Sequence, residues 1–331
     1  MRYYQKKVNI IENGKEVRKT VYGKTRKELA KKLIALEESQ NKVYTFAYLA
    51  EMWEDSHFQT ISYGTQVCYT PSLKRAVSAL GDRKITDITA KDINAVLITL
   101  KNQRFSKKTI ATQKTVFNLI FNFAIINDMA KYNPATAVTL PRNLPQKKRE
   151  LPDDKDIAKV IESVSEPFGL FAFLLLYTGL RRGEALALTW DDIDFEKRTI
   201  TVNKSIFFEH NRAVLRNHTK TQAGMRTVIL VDPLSEELIK RKSKGSIFNI
   251  KSETSYRHKW YAYKKATGIT FTPHQLRHNY ATILYYSGID AKAAQTLLGH
   301  SDISVTQNIY THIRQNEMKN VSDKLNSYLQ K

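Results

Sequence analysis

A chain of 331 residues with 53 Lys and Arg against 32 Asp and Glu carries a net charge of +21, and its length gives room for about two or three domains. The single cysteine, Cys68, excludes an internal disulfide framework; no N-terminal apolar segment resembles a signal peptide, and the longest apolar run, 168–177, falls far short of the roughly 20 residues of a membrane span. The expectation is a soluble cytoplasmic protein with a long polyanion as partner, because the excess is +7 in each of residues 1–45, 46–150 and 151–331 rather than gathered in one tail.

Residues 1–44 alternate like strands, with Tyr4, Val8 and Ile10 before Asn13-Gly14 and Val17, Thr20 and Tyr22 after it. Asn-Gly is the dipeptide of a two-residue hairpin turn, since both positions tolerate positive φ. Thr25-Arg26-Lys27-Glu28 has capping-box spacing and opens a helix to about Ser39. The basic residues of this unit fit a DNA-reading sheet as well as a solvated face.

Residues 45–140 read as a helical domain. Phe46, Leu49, Ala50 and Trp53 share one helical face, and Ile110, Val116, Phe117, Ile120, Phe121 and Ala124 form a second apolar stripe. Both stripes are core. Lys107, Lys108 and Lys114 beside the second stripe suit phosphate contacts or plain solvent exposure. Asn133-Pro134 stops the last helix. Residues 141–152 hold three prolines and the basic run Lys147-Lys148-Arg149, the composition of a semi-extended linker able to cross a phosphate backbone.

Residues 153–331 form the largest domain. Helices come first, strand-like stretches follow near 199–206 and 227–231, and helices return from Pro273 to the end. The fold class is mixed α+β and mostly α: a small hairpin-plus-helix unit, a helical domain, and a mostly helical domain with a small antiparallel sheet. Val321, Leu325, Tyr328 and Leu329 make an amphipathic stripe at the C-terminus, suited to its own domain or to a neighbour.

The chemistry concentrates late in the chain. In His274-x-x-Arg277-His278, offsets of three and four put all three side chains on one helical face. A zinc-peptidase reading needs a Glu after the first His, where this chain has Gln275, and a cationic Arg277 opposes a bound metal. Arg is the fork that holds a phosphate through two parallel hydrogen bonds. A second Arg pair, Arg181-Arg182, follows Thr178-Gly179-Leu180 at a helix junction, and spacing alone does not choose between them. Leu298-Gly299-His300 and Tyr310-Thr311-His312 add another His and a Tyr, a possible covalent nucleophile.

Thr178-Gly179-Leu180-Arg181, Lys220-Thr221, His274-Gln275-Leu276-Arg277-His278, Leu298-Gly299-His300 and Tyr310-Thr311-His312 together resemble the tyrosine recombinase (phage integrase) family, in the family's order. The resemblance implies an arm-type DNA-binding domain at 1–44, of which two of the usual three strands are legible, a core-binding domain at 45–140, a linker at 141–152 and a catalytic domain at 153–331. It selects Arg181 over Arg182. By resemblance Tyr310 attacks a DNA phosphate to give a 3′-phosphotyrosine and a 5′-hydroxyl. Arg181, Arg277 and His300 hold the phosphate, Lys220 protonates the leaving oxygen, and His274 or His278 serves as the base.

A free Tyr has a pKa near 10, so only about one in a thousand is ionised at neutral pH and such help is needed. Neither ATP, metal nor another cofactor is implied, since the ester is conserved in the Tyr–DNA bond. The implied partners are double-stranded attachment sites and further copies of the chain in a tetramer, with an excisionase and a host DNA-bending protein as accessories. A type IB topoisomerase shares the constellation, and a DNA-binding regulator with a vestigial site is a third reading.

Overall fold

In a computed structural model of the chain, the described residues are 4–12, 15–40, 44–145, 152–217, 225–311 and 313. They divide into two compact units, 1–148 and 149–331, with the boundary inside the proline-rich segment read as a linker.

The first unit begins with the expected hairpin. Strands β1 (Tyr4–Glu12) and β2 (Lys15–Gly23) pair antiparallel from Tyr4 opposite Gly23 to Glu12 opposite Lys15. The Asn13-Gly14 turn lies outside the described residues. Helix α1 (Arg26–Gln40) starts where the capping box predicts, with Glu28 N donating to Thr25 Oγ1 and Lys24 N donating to Glu28 Oε2. Gly23 is required there. A Cβ on it would sit 2.5 Å from the Leu29 backbone nitrogen.

Helices α2 (Phe46–His57), α3 (Tyr63–Leu80), α4 (Ala90–Asn102) and α5 (Lys107–Ile126) follow. Thr45, Ser62 and Ser106 cap three of them by accepting backbone N–H groups, one of the orphan donors that every helix start leaves. Every residue of the two apolar stripes read from the sequence is buried here. Two polar groups in this core are satisfied: Gln113 donates to the Ser72 carbonyl and accepts from Arg75, and Asn133 ties the segment after α5 to Asn118 and Asn122. Lys107 and Lys108 are exposed on the first turn of α5 and Lys114 is half-buried. Lys147, Lys148 and Arg149 lie outside the described residues.

The second unit is built around helix α7 (Gly169–Thr178), preceded by α6 (Asp154–Glu162). Eight of the ten residues of α7 are buried, which fits a sequence with no polar face and no amphipathic stripe. Gly179, at φ +61°, ends it; a Cβ there would meet the Tyr280 ring at 2.3 Å. Short α8 (Arg182–Ala187) leads to a three-stranded antiparallel sheet, β3 (Ile193–Asp194), β4 (Thr199–Val202) and β7 (Arg226–Ile229), in the order β3-β4-β7. Between β4 and β7 a separate hairpin is inserted, β5 (Lys204–Glu209) with β6 (Arg212–Asn217). Helices α9 (Asp232–Lys240), α10 (Glu253–Thr267), α11 (Pro273–Tyr286) and α12 (Ala291–Leu298) complete the unit, followed by helical residues 303–311. The stripe at Val321–Leu329 falls outside the described residues.

Candidate phosphate-binding site

The site grows from the C-terminal end of α12. A helix leaves its last carbonyls without internal partners and with partial negative charge. Gly299, at φ +67°, turns the chain sharply there. Three arginines then take three successive carbonyls. Arg226 Nε donates to Leu297 O at 3.0 Å, Arg277 Nη2 to Leu298 O at 2.7 Å, and Arg181 Nη2 to Gly299 O at 2.6 Å. The glycine is also a packing requirement, since a Cβ at 299 would stand 2.8 Å from the Arg226 guanidinium.

One carboxylate sits among these cations. Glu184, 2% exposed, accepts from both terminal nitrogens of Arg226, at 3.0 and 2.7 Å. It also accepts from Arg181 Nη1 at 2.8 Å and from the Arg181 backbone N–H at 2.8 Å, which places Arg181 at the N-cap of α8. Burial works to raise the Glu184 carboxyl, but the Arg226 fork, with Arg181, overrides it and holds the group at about 2. It is a carboxylate at any ordinary pH.

Arg277 is 4% exposed and spans two helix ends, with Nη1 donating to Gly179 O at 2.7 Å as Nη2 reaches α12. Burial and the neighbouring Arg181 lower its pKa to about 9, so it remains cationic at neutral pH. Arg181 is the accessible member, with 45% of its side chain exposed. Glu184 thus bonds two of the three guanidiniums and is the one carboxylate hydrogen-bonded to them among the described residues, so the cluster has a positive surplus open to an anion.

The structure also separates Arg181 from Arg182. The Arg182 guanidinium lies over the rings of Phe208 and Tyr256, at 5.6 and 5.2 Å from their centroids, a cation–π anchor turned toward the β5–β6 hairpin and α10. Gly183 allows this close approach: a Cβ on it would come within 2.5 Å of Ile206 O.

His300 follows the Gly299 turn. Its Nδ1 lies 2.8 Å from Thr306 Oγ1. Burial, then Arg277 and Arg181, with His278 and Arg226 behind them, lower its pKa to about 4, so the ring is neutral at pH 7. His274 and His278 stack edge-on, 4.6 Å apart, in the first turns of α11, with His274 exposed and His278 half-buried. Lys220 lies outside the described residues. Its position in the sequence falls between β6 and β7, and β7 opens with Arg226.

Tyr310 is 7% exposed and packs with Tyr280, Leu284 and Leu298. Its hydroxyl donates to Ile289 O at 3.0 Å, and the Tyr285 ring meets it edge-on at 5.0 Å. Burial, then the Asp290 carboxylate, push the phenol above its usual value, the opposite of what a nucleophile needs. The hydroxyl is thus committed to a backbone carbonyl in this state of the protein.

Motif reading had missed Glu184, Arg226 and Thr306. A signal for Arg226 exists in β7, where the buried phase Arg226, Val228 alternates with exposed Thr227 and Ile229. A charged residue in the inward phase of a strand needs a buried counter-ion, and Glu184 supplies it. Among the described residues, no group of three or more His, Cys, Asp or Glu is placed to hold a metal ion, and no helix is long and apolar enough to cross a membrane.

The model of the Phage integrase family matches residues 155–317. A "Tyrosine recombinase XerC-like" protein of Caldanaerobacter subterraneus subsp. tengcongensis is 30% identical, with 98% of this chain and 96% of that protein covered. The XerA tyrosine recombinase of Pyrococcus furiosus is 30% identical over 72% of this chain and 81% of its own. Among solved structures, the Tn1549 transposon integrase in complex with a circular intermediate DNA superposes with a TM-score of 0.68 at 20% identity, covering 84% of this chain and 99% of that one. A lambda integrase tetramer bound to a Holliday junction gives 0.60 at 20% identity, covering 92% and 91%. These two structures share the fold.

Proposed function

This chain belongs to the phage integrase family of tyrosine recombinases, and on that premise we propose that it is the integrase of a mobile element, with Arg181, Arg277 and His300 binding the scissile phosphate and Tyr310 attacking it. It is a site-specific DNA recombinase. The observation that carries the residue assignment is the surplus of positive charge: three guanidiniums converge on the end of α12, and among the described residues Glu184 is the one carboxylate hydrogen-bonded to them.

The chemistry follows from the groups present. Each terminal nitrogen of an Arg fork carries two hydrogens, so Arg181 and Arg277 retain donors after binding the carbonyls that fix them. Those donors stabilise the charge that develops on the non-bridging oxygens, the part a metal ion plays in other phosphoryl-transfer enzymes. Tyr310 Oη forms the new bond to phosphorus while the bond to the 5′ oxygen breaks. The Tyr proton passes to the His274–His278 pair, and Lys220 gives a proton to the 5′ oxygen. A 5′-hydroxyl from a second DNA end reverses the step and joins the new strand. Before any of this, Tyr310 exchanges the Ile289 carbonyl for the phosphate. One neutral hydrogen bond is worth about 1 kcal/mol net, a barrier that DNA binding easily offsets.

Residues 1–44 are proposed as an arm-type DNA-binding domain, 45–140 as the core-binding domain and 153–331 as the catalytic domain, joined by 141–152. Exposed Lys6, Lys7, Arg18 and Lys19 on the β1–β2 hairpin support the first assignment. The neighbouring integrase structures on DNA, including a tetramer on a Holliday junction, support a tetramer on synapsed attachment sites. An excisionase and a host DNA-bending protein are proposed accessories, and the bacterial cytoplasm the proposed location.

The test is a supercoiled plasmid carrying two copies of the DNA that flanks the gene. An integrase deletes or inverts the segment between them and leaves a plasmid without those sites untouched. Relaxation of any plasmid would identify a topoisomerase, and binding without strand breakage a regulator.

A further inference from the structure

Thr306 is fully buried, at 0% exposure, four residues before Tyr310 on the helical segment 303–311. Several threonines inside the helices of this protein donate to the carbonyl four residues back, as Thr99, Thr112, Thr115, Thr178 and Thr296 do, whereas Thr65, Thr109 and Thr254 near helix starts bond other side chains. Thr306 departs from the first habit. The one hydrogen bond of its hydroxyl among the described residues joins Oγ1 to His300 Nδ1, at 2.8 Å.

The chemistry of the surroundings favours one direction for that bond. Arg277, Arg181 and Arg226 surround His300 with positive charge, and His278 stands nearby, which favours the neutral ring. A neutral imidazole carries one N–H. A phosphate oxygen accepts and does not donate, so a His that holds phosphate needs its proton on the outward nitrogen. That tautomer requires Nδ1 to accept, and a hydroxyl free of its usual helical carbonyl is the donor placed to satisfy it.

We propose that Thr306 is a positioning residue: its hydroxyl donates to His300 Nδ1 and so keeps the proton on Nε2, where the ring donates to the DNA phosphate. Because Thr306 and Tyr310 share one helical segment, the tautomer is set only while that segment is docked. The phosphate-binding His thus reports on the element that carries the nucleophile. The inference rests on His300 binding phosphate.

The experiment combines a spectroscopic reading of the intact protein with single-turnover cleavage of a nicked suicide duplex. In the ¹⁵N spectrum, His300 of the wild-type chain should show a protonated Nε2 and an unprotonated Nδ1; the reverse pattern overturns the proposal without any variant. Thr306→Val should lower the cleavage rate about ten- to a hundred-fold, the range for removing a group that orients a ligating His, with duplex affinity unchanged. Thr306→Ser, which keeps the donor, should remain within about three-fold of wild type on the same argument.

His300→Ala separates the two levels of the reading. If it cleaves at the wild-type rate, His300 does not hold the phosphate and both readings fail together. If it is impaired, Thr306→Val should add nothing in that background. An equal further loss there, or a Ser variant as slow as the Val variant, would overturn the role of Thr306 and leave that of His300 standing.

Discussion

Arg181 and Arg182 are neighbours of the same type, and only their surroundings give them different work. Arg181 is held by Glu184 and the Gly299 carbonyl, with nearly half its side chain open, while Arg182 rests on two aromatic rings. Replacing Arg181 or Arg277 by Lys keeps the charge and loses the fork, so cleavage should fall on the order of a hundred-fold or more. Duplex affinity, set by many other cations, should change far less; equal losses in a paired gel-shift and cleavage assay would make these residues mere anchors. The buried charges also predict an acid limb in stability. His300 is depressed to about 4, so below its ordinary value near 6.5 the unfolded chain takes up a proton that the folded chain refuses, and stability is lost as pH falls toward 4. Glu184, held at about 2, contributes stability above its ordinary 4.5 that is lost as pH falls through 2. Melting temperatures against pH should therefore decline from about pH 6.5, and His300→Gln should flatten the first part of the decline. An unaltered slope in that variant would place its origin elsewhere. Arg181, Arg277, His300 and Tyr310 were legible as motif residues because each carries its own chemistry. Glu184, Arg226 and Thr306 were not, because a counter-ion or an orienting hydroxyl has meaning only beside the group it serves.

At the scale of elements, the turn after α12 gathers the site. Its three carbonyls take one arginine each, from β7, α11 and the start of α8, so a single backbone conformation sets the spacing of three side chains far apart in sequence. Gly299→Ala should disturb all of them. Positive φ costs an L-residue roughly 1–2 kcal/mol, and the added methyl would press on the Arg226 guanidinium at 2.8 Å. A lowered melting temperature together with a cleavage loss larger than that of Arg226→Lys is expected, and a variant with wild-type cleavage would show that the turn does not set the site. The helices here were legible from apolar periodicity and caps. The strand-like stretch near 199–206 merges β4 with the start of β5, and β6 is absent from the sequence reading, since it shows only exposed and half-buried positions and so lacks the alternation that marks a strand with one buried face. Two-residue β3 is too short to leave any periodic signal.

For the whole molecule, the prediction concerns what residues 1–44 add. If they read separate arm sites, the intact chain bridges two DNA segments and gains affinity through effective concentration. Deleting them should spare cleavage of a short core duplex and severely reduce recombination between full-length attachment sites. The deleted chain recombining full-length sites normally would make this a simpler recombinase that needs only a core site. The hairpin's existence was readable from Asn13-Gly14 and alternation, whereas its assignment to DNA rests on charge and on resemblance. The account as a whole stands on one covalent bond. Incubating the chain with a nicked suicide duplex, digesting the trapped adduct and sequencing the DNA-linked peptide should place a 3′-phosphate ester on Tyr310, with no adduct from Tyr310→Phe although that variant still binds the duplex. An adduct that persists in Tyr310→Phe, or a linked peptide containing Tyr280, Tyr285 or Tyr286 instead, would contradict it.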